Sequence, residues 1–368
     1  MPEAAHGRKM RRPQGRDGAG GSGLARLKDI GRSLGLSVTQ VSRALGGHRD
    51  VSEATRRRVE AEAARLGYHP SAAGRALRSG RSGVVAMVVP HGLDPEAGDV
   101  LLEIVTGLSR AFARRDRQFV LHVLSEGEEA LDAYGRLIEG GLIDGFVVID
   151  PLVDDARVAY LERRGVPFAV HGRVEAAPRH PFFDIDNRAV GHALAAHLAR
   201  LGHRRIALVD GPEGRPFARA RRAGFDAALA EAGLRPDPRL VLNGPMTAPE
   251  GARAAARLMA GAGGAPPPSA IALGNAMLAR GVLDALARLK LSVPGDVSVA
   301  AHDDALPRFD AAAFAPPLTG TRAPLACAWP ALAGALIGAI EGRPLAELQR
   351  VASPAFVERG STATPRGG

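Results

Sequence analysis

Ser37-Val38-Thr39-Gln40 sets a serine hydroxyl three residues ahead of a glutamine amide. At that spacing each side chain caps the other residue's backbone N–H where a helix begins. Arg43 follows within the next turn, so one helix opening presents Val38, Thr39, Gln40 and Arg43 together. A guanidinium there can bind guanine O6 and N7 in bidentate fashion, or it can meet a phosphate. Val38 can pack on a thymine methyl or belong to the core, and Gln40 can read adenine or serve only the cap. Ser37 and Ser42 offer hydroxyls to phosphate, which positions a protein without specifying sequence. Reaction chemistry is harder to find. The chain has no Walker loop, no Gly-x-Gly-x-x-Gly at a strand end and no nucleophile elbow. His192 and His197 stand five apart on one expected helix, the wrong spacing for a shared metal. Cys327 is the single cysteine, so no intramolecular disulfide or multi-cysteine zinc site can form. The expectation is a protein without cofactor or metal, and not an enzyme.

The elements that must hold these residues are short helices. Leu27, Ile30 and Leu34 follow an i, i+3, i+7 pattern that closes at Gly35. The helix opened by Ser37 buries Val41 and Leu45 and stops at Gly46-Gly47. Ser52 caps a third helix with Val59, Ala63 and Leu66 inward. Three helices with a tight glycine turn between the first two make a helix-turn-helix, whose second helix enters the major groove. Charge points the same way. Residues 1–81 carry 17 Lys/Arg against 7 Asp/Glu, while the remainder carries 31 against 32. A basic head on a neutral body is the electrostatic footprint of a nucleic-acid-binding module. Residues 1–24 are expected to be a disordered basic arm, 25–70 the helix-turn-helix domain and 71–82 a short hinge helix and linker.

From Gly83 the pattern becomes strand–helix alternation. Strands are expected at Val84–Val89, Phe119–Leu124, Phe146–Ile149, Phe168–Val170, Ile206–Val209, Ile271–Leu273 and Val297–Ala300. Helices are expected at Leu101–Arg114, Leu131–Glu139, Ala189–Leu201 and Ala276–Leu289. Apolar strands interleaved with helices imply parallel, doubly wound sheets, and the count implies two α/β lobes over 83–362, followed by a tail at 363–368 that is expected to be disordered. Ligands of such folds sit beyond the carboxyl ends of the strands, here in the cleft between lobes. Arg173, just after one strand, can point into that cleft. Apolar residues make up 46% of the chain, but no run is long enough to cross a bilayer and no apolar signal core follows the basic start. A cytoplasmic protein without a membrane partner is expected.

Leu27 to Gly83 reads LKDIGRSLGLSVTQVSRALGGHRDVSEATRRRVEAEAARLGYHPSAAGRALRSGRSG, and it resembles the DNA-binding head of the LacI/GalR family of bacterial repressors. The body is similar in order: LGHRRIALVDGP at 201–212, RRAGFDAALAEAGL at 221–234, VPGDVSVAAHDD at 293–304, PPLT at 316–319 and VERGST at 357–362. The resemblance implies a periplasmic-binding-protein-like core, a homodimer, a palindromic operator as DNA partner and a small-molecule effector, most often a sugar. It makes Arg43 the arginine of the family's VSR motif and Leu77 the leucine that wedges a base step from the minor groove. It matches Arg221 to the ligand-contacting arginine, Asp303 to the ligand-contacting carboxylate and Asn275 to an asparagine at the site. Departures fall at Gln40, Gly74, Ala276 and Ala301, where the family usually has Thr, Ala, an acid and Gly. Asp186 reads as a crossover or helix-capping residue. The other class of function considered, a solute-binding protein of a transport system, fits the body but not the basic head.

Overall fold

Ile30, Val41, Ala44, Val59 and Ala63 close a small core between three helices, α1 (Leu27–Leu34), α2 (Val38–Leu45) and α3 (Glu53–Arg65). Helices of eight residues are marginal alone, so burial of this shared apolar face holds the head together. Gly35 ends α1 at φ +66°, a left-handed position that a β-carbon disfavours. The computed structural model describes residues 25–48, 50–68, 81–91, 98–174, 178–261 and 266–366. The basic arm, the hinge stretch 71–80 and Leu77 therefore lie outside the described residues.

The chain separates into two compact units, Met1–Gly80 and Arg81–Gly368. The second contains two six-stranded sheets. The first lobe contributes β1 (Val84–Val89), α4 (Gly98–Ala113), β2 (Gln118–Val123), α5 (Ala130–Glu139), β3 (Gly145–Val148), α6 (Ala156–Arg164), β4 (Phe168–His171) and β5 (Phe182–Ile185). The second contributes α7 (Asn187–Arg200), β6 (Ile206–Asp210), α8 (Pro216–Glu231), β7 (Val241–Asn243), α9 (Ala248–Met259), β8 (Ala270–Leu273), α10 (Ala276–Arg288), β9 (Ser298–Asp303) and β10 (Thr319–Arg322). The chain then returns through α11 (Ala328–Glu341) and β11 (Gln349–Ala352) to the first lobe, and β12 (Ala355–Val357) rejoins the second. Sheet order is β11-β5-β4-β3-β1-β2 in one lobe and β12-β10-β9-β8-β6-β7 in the other. All described pairings are parallel except β10 with β12.

Parallel strands covered on both faces explain the continuous burial of Val85–Val89, Ile206–Asp210 and Ala270–Leu273. Each fully buried large side chain contributes about 1.5–3 kcal/mol. Glycines set the helix spacing where the site will lie. A β-carbon on Gly191 would stand 1.9 Å from the Arg221 carbonyl oxygen, and one on Gly224 the same distance from that of Arg188. Contact of α7 and α8 at backbone distance fixes where Arg221 leaves its helix.

The structure corrects the tail. Residues 363–366 are pinned rather than disordered: the Ala363 N–H donates to Ser298 Oγ at 3.0 Å and Arg366 pairs with Asp296 at 3.0 Å.

Candidate functional site: a basic helix opening and an interlobe cleft

At the start of α2 the capping box is complete. Gln40 N–H donates to Ser37 Oγ at 3.2 Å, and Ser37 N–H donates to Gln40 Oε1 at 2.9 Å. Both side chains therefore have a structural duty within the helix start. Val38 is 48% exposed, which removes it from the core, and Thr39 is exposed beside it. Ser42 is half-buried. Arg43 is half-exposed and pairs with Asp50 at 2.6 Å. An exposed pair of this kind is worth about 0–1 kcal/mol, so the guanidinium can exchange its partner readily.

The cleft between the two lobes encloses a cavity of about 930 Å³, within the range of small-molecule sites. Its walls come from segments that follow strands: Asp150 after β3, Arg173 after β4, Pro212 after β6, Thr247 after β7, Asn275 after β8 and Asp304 after β9. Carboxyl ends of parallel strands are where doubly wound sheets bind ligands. Ile104, Phe183, Phe217, Met246, Met277 and Leu306 make much of the lining apolar.

Arg221 is 6% exposed and held on several sides. Its Nε donates to Asn187 Oδ1 at 2.8 Å, its Nη1 to the Gly274 carbonyl at 2.7 Å and to Asp210 Oδ1 at 3.4 Å. Its guanidinium carbon lies 5.1 Å from the centre of the Phe217 ring. Arg173 donates through Nε to Asp184 Oδ2 at 2.8 Å. Asn275 caps α10, accepting from the Leu278 N–H at 2.8 Å and donating to the Met246 carbonyl at 3.1 Å. One amide proton and one lone pair on Asn275 remain for a ligand. Arg173, Arg221 and Asn275 are thus brought together on one cavity. Asp303 is not among its lining residues: its carboxylate accepts from the Ala305 N–H at 2.8 Å and from Arg322 at 3.0 Å. The lining carboxylate is its neighbour, Asp304, 3.3 Å from His302 Nε2. Burial opposes ionisation of Asp304, but His302, Arg221 and His171 together hold its carboxyl below the usual range. Burial lowers the His171 pKa, with Asp184 and Asp304 pulling the other way.

The cleft is bridged on two sides. Arg215, at the N-cap of α8, donates to the Asp150 carbonyl at 2.8 Å and pairs with its carboxylate at 2.7 Å. Asp150 sits at φ +48°. Arg308 pairs with Asp99 at 3.1 Å. Arg215→Ala is expected to weaken ligand binding about fivefold, the worth of a partly exposed ion pair, as measured by calorimetric titration.

Comparison with known proteins turns this geometry into an assignment. Residues 26–71 match the model for bacterial regulatory proteins, lacI family, and residues 195–362 match that for a periplasmic binding protein-like domain. The chain is 37% identical to the HTH-type transcriptional regulator AglR of Rhizobium meliloti (strain 1021) over 316 residues, 85% of this chain and 87% of that protein. The chain belongs to the LacI family. It is also 38% identical to the regulator RafR of Escherichia coli over 279 residues, 75% of this chain and 81% of that one. The structure of the CelR–cellobiose complex shares 28% identity at a TM-score of 0.65, covering 92% of this chain and 99% of that chain. The lac repressor dimer bound to operator, at 22% identity and a TM-score of 0.73 over 93% of this chain and all of that one, matches in fold.

This LacI-family chain is therefore a transcriptional regulator, and the relatives it matches are regulators rather than enzymes. No described helix is long and apolar enough to cross a membrane, and the described residues hold no cluster suited to a metal. His192 meets Glu231 at 2.8 Å and His197 meets Thr362 at 2.9 Å, so the two go separate ways. Sequence reading missed Asp304, Asp184, Asn187 and Asp210. The Asp303-Asp304 doublet gave a signal for the first without saying which carboxylate faces the cavity. Nothing local marks the other three, whose roles come from partners brought near by the fold.

Proposed function

We propose that this regulator is a dimeric, cytoplasmic repressor that binds a palindromic operator and responds to a neutral saccharide of about two rings. Residues 25–70 read the DNA, 71–82 form the hinge and 83–362 form the sensor and dimerisation core. The observation that carries the ligand class is the pairing of charges around the cavity. Arg173 is met by Asp184, Arg215 by Asp150, Arg221 by Asp210 and Asn187, and Asp304 by His302. A wall so paired offers hydrogen bonds to hydroxyls and apolar surface to ring faces, and the two other lining arginines, Arg188 and Arg219, are exposed to solvent rather than held inside the cavity. The volume accommodates more than one sugar ring, and a relative's structure was determined with cellobiose. Arg173, Arg221, Asn275 and Asp304 would contact the ligand, with Asp303 holding the turn beside Asp304.

On DNA, Val38, Thr39 and Arg43 would meet base edges, with Gln40 limited by its cap, and Ser37 and Ser42 would face phosphates. A second copy would cover the edge strand β2, where Val120 and Val123 are 40% and 49% exposed, with Leu102 on α4 63% exposed. On this reading the chain catalyses no reaction. Leu77→Ala is expected to weaken operator binding while leaving random-duplex binding unchanged, because a lost wedge affects only the bent complex. Parallel titrations of both duplexes check this, and equal losses would give Leu77 a purely structural role.

The proposal is tested by following Trp329, the only tryptophan, which packs 5.4 Å from the cavity-lining His171. A neutral disaccharide such as cellobiose should change its fluorescence saturably, and glucose 6-phosphate should not. A response to the phosphate alone would overturn the ligand class.

A further inference from the structure

The two cavity-facing arginines that belong to different lobes are joined through one amide at a crossover. Asp184 lies on β5, after which the chain makes its first crossing between the lobes at Asp186. Asn187 opens α7 and is 3% exposed. Its Nδ2 donates back to Asp184 Oδ1 at 3.0 Å and to the Ile185 carbonyl at 3.2 Å. Its Oδ1 accepts from Arg221 Nε at 2.8 Å, and the other oxygen of Asp184 accepts from Arg173 Nε at 2.8 Å. The result is a continuous run: Arg173, Asp184, Asn187, Arg221, then Gly274 and Asp210.

We infer that Asn187 is a positioning residue that makes effector recognition depend on lobe orientation, by fixing Arg173 and Arg221 relative to one another across the crossover. This rests on the reading of the cavity as the effector site. An amide is suited to this place because it must donate to a carboxylate on one side and accept from a guanidinium on the other. Aspartate has the size but sets a second carboxylate against Asp184. Alanine leaves Arg221 Nε and Asp184 Oδ1 with one fewer partner in a buried setting. Rotation of one lobe against the other must bend the chain between Asp184 and Asn187, so it changes the angle at which the two guanidiniums face the cavity. Each arginine uses Nε inside the run, and on Arg173 both Nη groups have no hydrogen bond among the described residues, which leaves donors for a ligand that spans the lobes. Such a ligand is held by both arginines in only one orientation, and differential affinity for two orientations is what shifts a regulator's equilibrium.

The test compares the full chain with Asn187→Ala and Asn187→Asp, and with Arg222→Ala as a control. Arg222 neighbours Arg221 but pairs with Asp226 and is not part of the run. The first measurement needs no ligand. Spin labels at Leu142→Cys and Leu289→Cys, exposed positions on the two lobes, report the interlobe distance in a Cys327→Ser background. An excess of unlabelled chain keeps one labelled copy per dimer. Both Asn187 variants should broaden or shift the distance distribution, whereas Arg222→Ala keeps the parental one. The second measurement titrates cellobiose and other neutral disaccharides against Trp329 fluorescence, where both variants should bind roughly ten- to a hundredfold more weakly. Thermal melts establish that each variant is folded. An Asn187 variant with the parental distance distribution overturns the inference, and so does one with parental saccharide affinity. Failure of every saccharide on the parent chain overturns the proposed ligand class, while the distance measurement still decides the role of Asn187.

Discussion

Arg221→Ala should abolish the response to effector and also lower the melting temperature of the sensor core by roughly 10 °C. The two effects have different origins. The guanidinium offers hydrogen bonds to a ligand in the cleft, and its loss removes an interaction that depends on lobe orientation. It also lies against Asp210, which is 1% exposed and has one oxygen, Oδ2, without a hydrogen bond. Burial already pushes the Asp210 carboxyl above its usual range, with Arg221 pulling against that shift. Taking away one partner of a buried pair costs about 3–5 kcal/mol, because the other is left uncompensated. The head is a separate compact unit, so operator contacts themselves are untouched. Asp210→Asn in the Arg221→Ala background should recover most of the lost stability but none of the effector response. Calorimetry and operator binding with and without ligand separate the two. A single variant that keeps its response with an unchanged midpoint would remove Arg221 from the site.

Arg43→Ala should weaken operator binding by roughly ten- to a hundredfold per half-site, the worth of about 1–3 kcal/mol for a bidentate guanine contact. A dimer carries two copies, so the loss at the full site compounds. Off DNA the guanidinium sits on Asp50, and an exposed pair of this kind holds it only weakly. Asp50→Ala should therefore leave affinity unchanged or raise it a few-fold. Binding to operators varied at each position distinguishes the possible contacts. If Arg43 reads a base, the variant loses discrimination at one symmetric position. A phosphate contact would instead weaken all sequences alike and flatten the salt dependence by about one ion per half-site.

What was legible in the sequence was what is local. The Ser37–Gln40 cap is set by four residues and forms as read, as does the buried apolar run of β1. The resemblance to the LacI family supplied Arg221 and Asn275 at the cavity. Strands with less apolar signal escaped. β5 carries Asp184 in Phe-Phe-Asp-Ile, β7 has three residues, and β11 and β12 are short and partly exposed. At the site, the doublet Asp303-Asp304 could not disclose that Arg322 occupies the first carboxylate. That pairing joins β9 to β10 and depends on sheet register, which no local pattern encodes. The run through Asn187 is hidden for the same reason, since it joins residues 173, 184, 187 and 221 only after both lobes have folded.

Coupling of specific DNA binding to a ligand in the interlobe cleft is the property on which the regulator's proposed function turns. Its most direct test is fluorescence anisotropy of a labelled duplex spanning the promoter of its own gene. The full-length protein is titrated at physiological salt, with and without neutral disaccharides. The expected result is binding of one dimer at least a thousandfold tighter than to random duplex, with a midpoint that moves when a saccharide saturates the Trp329 signal. Equal affinity for promoter and random duplex, or a saturating saccharide that leaves the midpoint where it was, would contradict it.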